Sequence, residues 1–336
     1  MNKMSEKLLI IGGGLSGLYL ASLLEEKYEI TIVEARERLG GRVFSIDGHD
    51  MGPSWIWSHH KNMLHLVSEL KLELFSQYNT GYALYDTKEK LELFNSPPQA
   101  PCARVSGTLS LVIDKLQKNL QKTKIILNEK VMSIKDLEDT LEVQSDKNMY
   151  EVNKVIVTLP PRLCTKLEFT PSLSEAAYTK LMQTQTWMGN SAKCVVEFKT
   201  AFWRDKGLSG FVFSNQGPLG EIHDASTENK AALFGFVSAS ANMNNFHESV
   251  RTQCKQLFKI TDEDIVNIHL LDWRDETFSS AEEDSKALGG HPEYGIDLSH
   301  HKNKVLFSAT EFSHKEGGYL DGALIRAQEI AKTLLN

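Results

Sequence analysis

Residues 7–42 read K-L-L-I-I-G-G-G-L-S-G-L-Y-L-A-S-L-L-E-E-K-Y-E-I-T-I-V-E-A-R-E-R-L-G-G-R. Lys7 to Ile11 is a short apolar run of strand type, followed by Gly12-x-Gly14-x-x-Gly17, a helical pattern, and a second strand, Ile30 to Val33, that ends in Glu34. Strand, glycine turn, helix and strand ending in an acid is the spacing of a dinucleotide-binding unit. Gly12 permits the tight turn, Gly14 lets the backbone approach a pyrophosphate, and Gly17 lets the helix pack on the sheet. The helix start at Leu15 and Ser16 offers unpaired N–H groups to phosphates. Glu34 can accept from ribose hydroxyls. The fingerprint alone does not choose between NAD and FAD, which present the same adenosine and pyrophosphate.

The remainder of the chain is compatible with an ordinary globular protein. Its 336 residues are 41% hydrophobic and 24% charged, enough for a large core and more consistent with two domains than one. A net charge of −7 gives no support for binding nucleic acid. Cys102, Cys164, Cys194 and Cys254 stand far apart with no C-x-x-C pair, which argues against a zinc site or a disulfide framework and fits a reduced cytoplasm. The opening M-N-K-M-S-E-K leaves no room for a signal peptide, and no apolar run approaches a membrane span. His59, His60 and His65 are not spaced as ligands on one helical face and have no nearby partner set, so no metal is expected.

The run Glu34-Ala35-Arg36-Glu37-Arg38-Leu39-Gly40-Gly41-Arg42 resembles the E-A-R-x-R-x-G-G-R extension of the flavin amine oxidase family, which includes monoamine and polyamine oxidases. On physics alone it is a glycine backbone that can lie on an anion with cations beside it. The resemblance implies FAD, held by Gly12, Gly14, Leu15, Ser16, Gly17, Glu34, Ala35, Arg36, Gly40, Gly41 and Arg42. D-M-G-P-S-W-I-W at 50–57 is similar to the family's segment beside the flavin ring, implying contacts from Gly52, Pro53 and Ser54. Trp55 and Trp57 read equally as pocket residues or as core anchors. A helix from Val105 through Leu120 and the strands after it resemble the stretch in which Val131 meets the adenine side through its backbone, although Ser106 replaces a usual glycine. V-I-V-T-L-P-P at 155–161 resembles the strand on which the chain leaves the nucleotide domain. L-F-S-A-T-E-F-S and Gly317-Gly318-Tyr319-Leu320-Asp321-Gly322-Ala323 look like the family's terminal strand and second helix N-terminus. They imply cofactor contacts from Glu311, Gly318 and Tyr319, with Tyr319 also one side of an aromatic cage; Ala309 replaces a usual glycine.

The strand G-N-S-A-K-C-V-V-E-F at 189–198 places Ala192, Cys194, Val196 and Phe198 on one face and Ser191, Lys193, Val195 and Glu197 on the other. Taken alone, its polar face meets water. With Phe202-Trp203-Arg204 behind it, it resembles the family strand whose lysine holds a water at flavin N5, and Lys193 becomes the catalytic candidate beside Tyr319. Glu197 and Lys199 keep the solvated reading.

The interval from Trp57 to Val105 is shorter than the family's helical subdomain, so the substrate region is expected to be reduced. After Trp273 no cysteine stands where monoamine oxidases join the flavin, so FAD is expected to be non-covalent. The second cage residue is open among Phe278, Tyr294 or a tryptophan. Glu282, Glu283 and Asp284 read as a solvated loop or as a lure for a cation. Period-2 stretches at 191–199, 208–214, 231–238 and 265–272, with a helix near 243–258, suggest a mixed or antiparallel sheet, and P-P-Q-A-P at 97–101 reads as a breaker.

The expected fold class is therefore α/β: a Rossmann-like FAD domain (1–56, 104–182 and 277–336) with a smaller α+β substrate domain (57–103 and 183–276). The resemblance implies an FAD-dependent oxidase taking a small amine and dioxygen and releasing peroxide. A renalase-like or desaturase-like flavoenzyme on a non-amine substrate, and a flavin-binding scaffold, are the alternatives.

Overall fold

The computed structural model describes residues 6–95, 100–286 and 290–336. The opening five residues and positions 97–99 of the P-P-Q-A-P breaker lie outside that set. The strand Glu6–Ile11 is the centre of a six-stranded sheet, with Tyr28–Val33 and Lys124–Ile126 to one side and Lys154–Val157, Val305–Phe307 and the short Ser299–His300 to the other. All pairs are parallel except the last. An unbroken apolar run suits this position because both faces are covered. Leu8 and Ile10 pack with the helices Leu15–Leu24, Ser110–Asn119 and Leu320–Leu335. Leu9 and Ile11 pack on the other face, against the four-stranded layer containing Val131–Asp136 and Leu141–Ser145.

A second sheet of seven strands runs in the order Ile265–Asp272, Ala192–Phe198, Ala231–Val237, Leu219–Asp224, Leu208–Ser214, Tyr82–Asp86, Leu91–Asn95. It is mixed, because Leu208–Ser214 pairs in parallel with Tyr82–Asp86 while its other pairings are antiparallel. One face, with Cys194, Val196, Phe198 and Leu233, is sealed by the helix Phe246–Phe258. The opposite face carries Lys193, Val195, Phe234 and Phe236 toward the nucleotide half, where Val195 and Phe234 join Met51 in a small core.

Two readings change, and one interval gains its structure. Val105 ends the strand Cys102–Val105, and the helix begins only at Ser110, because the chain turns through Gly107 at φ 94°. Within the short interval from Trp57 to Val105, the segments G-Y-A-L-Y-D and K-L-E-L-F form a hairpin that extends the large sheet. Glu197 is not solvated, since its carboxylate takes the Lys230 ammonium at 3.1 Å and His49 Nε2 at 3.3 Å.

Candidate active site

The two sheets face each other across a cavity of about 630 Å³. Gly12, Gly14, Leu15, Ser16, Glu34, Arg36, Gly40, Gly41 and Arg42 line one end. Gly12 holds φ 110°, and a Cβ there would meet the Thr158 hydroxyl. Gly14 bridges to Gly40, and a Cβ on it would meet protein only at ordinary contact distances, 3.8 Å from the Gly40 carbonyl. Helix Leu15–Leu24 starts there with no side-chain cap, leaving its first N–H groups to a ligand. The Glu34 carboxylate, 4% exposed, accepts from the amides of Gly13 at 2.7 Å and Arg36 at 2.9 Å. The arginines of the extension are fixed by the protein: Arg36 to Glu276 and Ser279, Arg38 to the Gly41 carbonyl, and Arg42 to the Trp187 carbonyl.

The far end is aromatic. Across three strands the register sets Glu221, Phe236 and Lys193 side by side, with His223, Phe234 and Val195 in the next rung. Lys193, 4% exposed, donates to the Gly52 carbonyl at 2.9 Å and the Ser54 hydroxyl at 2.6 Å, and its ammonium lies 4.3 Å from the Phe234 ring centroid. Burial pulls Lys193 down to about 7; the Asp50 carboxylate opposes this and Arg104 adds to it. Asp50 is held by the Leu109 amide at 2.9 Å and the Ser45 hydroxyl at 3.1 Å. Trp55 combines the two readings, and Trp57 shows the pocket one. Both line the cavity, while Trp55 also packs edge-on to His223 and donates to Gln77 at 2.9 Å.

Tyr319, at the start of the terminal helix, lines the cavity with Gly318, and Phe278 lies in the wall beneath Arg36. The uncapped N-terminus of that helix is the second one at the cavity. Burial raises the Tyr319 hydroxyl above its ordinary value, with Glu316 adding to it. Gly52, Pro53 and Ser54 also lie in the wall.

Five expected residues lie elsewhere. Gly17 sits behind the cavity, where a Cβ would collide with the Gly12 carbonyl, so its task is helix packing. Ala35 is outside the wall, and Val131, 4% exposed, begins a strand of the four-stranded layer and packs in its core against the main sheet. Glu311 is fully buried and engaged by both guanidinium nitrogens of Arg42, which stands between it and the cavity. Tyr294 lies behind Gly317 and Gly318 with its hydroxyl donating to the Gln185 carbonyl at 2.8 Å. Of the residues left open for the second cage position, Phe278 and two tryptophans, Trp187 and Trp273, lie in the wall. Asp284 is no solvated loop residue: it is 2% exposed and takes Arg162 and the amides of Thr186 and Ala281.

Sequence reasoning assigned no site role to Asp50, Phe234, Glu221 or His60. Asp50 opens the D-M-G-P-S-W-I-W segment, and Phe234 lies in the period-2 stretch 231–238, but the face it shares with Lys193 follows only from the sheet register; nothing in the sequence marks Glu221 or His60 as wall residues. Burial holds the His60 imidazolium below its ordinary value, against the pull of Asp321 and Glu316.

The walls fit an FAD. Two helix N-termini without side-chain caps open on the cavity, Gly14 leaves a cradle that a side chain would fill, and the buried hydroxyls of Thr186 and Ser280 in the wall have no protein partner.

Comparisons with known proteins bear on family and fold. The profile of flavin containing amine oxidoreductases matches residues 100–335, and that of NAD(P)-binding Rossmann-like domains matches 10–70. Flavin-containing amine oxidase B of Homo sapiens is 22% identical, aligned over 98% of this chain and 86% of its own length. Flavin-containing amine oxidase A of Canis lupus familiaris is also 22% identical, over 98% and 84%. Among solved structures, a putrescine oxidase bound to putrescine superposes with a TM-score of 0.84 at 19% identity, covering 99% of each chain. Cyclohexylamine oxidase from Brevibacterium oxydans gives 0.83 at 16%, covering 99% of this chain and 100% of its own. These two structures bear on fold alone.

Proposed function

The chain belongs to the flavin-containing amine oxidoreductases, and from that premise we propose that it oxidises a small amine with dioxygen as acceptor, releasing hydrogen peroxide. FAD, bound without a covalent link, supplies the redox chemistry. The observation that carries this reading is Lys193, buried between Ser54 and Phe234 at the junction of the nucleotide cradle and the aromatic pocket. Gly12, Gly14, Glu34 and Arg42 would hold the cofactor, with Gly52 to Ser54 beside its reactive part. Phe234, Phe236, Trp55 and Tyr319 exclude water and favour the uncharged amine over its ammonium form. Lys193 would hold a water through its amine group and, when protonated, stabilise negative charge developing on dioxygen. Glu221, on the same rung, presents a carboxylate to substrates that carry a second cationic group.

We place domain borders at 1–56, 104–182 and 277–336 for the FAD half and 57–103 and 183–276 for the substrate half, with the site between them. The four cysteines are all unpaired, and we assign the enzyme to the cytoplasm. Among the described residues no helix is long and apolar enough to cross a membrane.

Lys193→Met tests the reading. The expected outcome is retained flavin with reoxidation by dioxygen slowed about 100-fold, the scale of removing one preorganised charge-stabilising group. Unchanged reoxidation and turnover would remove Lys193 from the mechanism.

A further inference from the structure

At the mouth of the cavity the chain brings together three side chains that the sequence keeps far apart. His59 and His60 precede the helix Lys61–Glu69, and Glu316 lies on the loop that delivers Gly317, Gly318 and Tyr319. Glu316 Oε2 is 3.5 Å from His59 Nε2 and 3.3 Å from His60 Nε2. His60 is 1% exposed, yet Nδ1 has no partner and Nε2 meets only the Glu316 carboxylate, out of hydrogen-bond geometry, an unusual state for a buried imidazole. Its ring lies 5.5 Å from that of Tyr319 and lines the cavity. His59 and Glu316 remain open to solvent, so an ion has a path in.

We propose that His59, His60 and Glu316 form a binding site for a divalent transition-metal ion, zinc being the best match in chemistry. Ligands held at about 2.05 Å around a tetrahedral zinc stand about 3.3–3.4 Å from one another, and the two measured separations to Glu316 bracket that edge. Two imidazoles and a carboxylate leave the fourth position for water. The Asp321 carboxylate, fixed by the Met63 amide and the Asn62 side chain, adds negative charge nearby. Among the described residues one other cluster has metal-ligand composition, His49, Glu197 and His269. It fits less well: His269 stands 4.0 Å from Glu197, and the Lys230 ammonium already occupies that carboxylate.

Occupancy would tie the loop before Tyr319 to the helix beside the pocket, so the ion is expected to act on turnover without taking part in it. The test is isothermal titration of FAD-loaded protein with zinc chloride, with turnover assayed in parallel. One zinc per chain is expected, reversed by EDTA, with affinity falling at least about 100-fold in both His59→Gln and Glu316→Gln and unchanged in His269→Gln. His59 stands outside the cavity wall, so His59→Gln should keep metal-free turnover while losing its response to zinc. Absence of binding, or binding that survives both substitutions, or binding lost only in His269→Gln, would overturn the assignment. The titration is read without amine turnover, so it stands or falls separately from the oxidase reading.

Discussion

The two ends of the cavity are built by different means. The nucleotide end is backbone: Gly14 and Gly41 leave space, the uncapped start of helix Leu15–Leu24 offers its amides, and nearby charges, such as Glu34 on the Gly13 amide, are fixed by the protein itself. The substrate end is side chains: Lys193, Phe234, Glu221, Trp55, Trp187 and Tyr319 arrive from six separate segments. The first surface is set by one continuous stretch of about forty residues, the second by the register of a sheet and the path of a loop. The nucleotide end should therefore fail all at once when its backbone is obstructed, and the substrate end should degrade residue by residue.

Gly14→Val sharpens that contrast most. The residue has extended backbone and room for a Cβ, so the protein should fold with unaltered far-UV circular dichroism. The side chain would fill the cradle, and FAD affinity is expected to drop more than about 100-fold, measured as flavin retained on gel filtration. Flavin bound normally by a folded Gly14→Val chain would break the account of this end.

Lys193 probes the other end through stability. The folded chain holds it near 7 against 10.5 for free lysine, so its protonation opposes folding fully below pH 7. That penalty fades as pH rises toward 10.5. Between pH 7 and pH 9 the wild-type apoprotein should gain about 2 kcal/mol on Lys193→Met in urea unfolding. A gap that stays constant, or widens the other way, would mean the ammonium is not buried as described.

Smaller effects separate wall residues from those behind the wall. Glu221→Gln should raise KM for diamines about 10-fold and leave monoamines unchanged, because its carboxylate is partly solvated and a single charge contact there is modest. Equal effects on both substrate sets would take Glu221 out of recognition. Tyr294→Phe should cost about 1 kcal/mol through the lost bond to Gln185, with kcat and KM unmoved. A change in KM would return Tyr294 to the pocket.

The same division explains what could be read in advance. Phosphate recognition is local backbone chemistry, so the glycine spacing and Glu34 carried the nucleotide end and the parallel sheet around it. Strand alternation put Lys193 on the polar face but does not say what that face meets; the resemblance turned the reading from water to the flavin, and only the sheet register brought Phe234 beside it. Motif similarity gives order along the chain and not depth, so it does not show that Tyr294 and Glu311 lie outside the cavity wall. The tie between His60 and Glu316 spans some 250 residues and leaves no periodicity to detect. Asp284 looked solvated in an acidic run, and only its partner Arg162 shows otherwise.

Anaerobic mixing of the purified yellow protein with a panel of primary amines, polyamines and amino acids, followed by admission of oxygen, tests the central claim most directly. The account predicts that at least one amine bleaches the flavin absorbance and that oxygen restores it with one hydrogen peroxide per turnover. Flavin that no amine bleaches, while NADH or another non-amine reductant does, would contradict it.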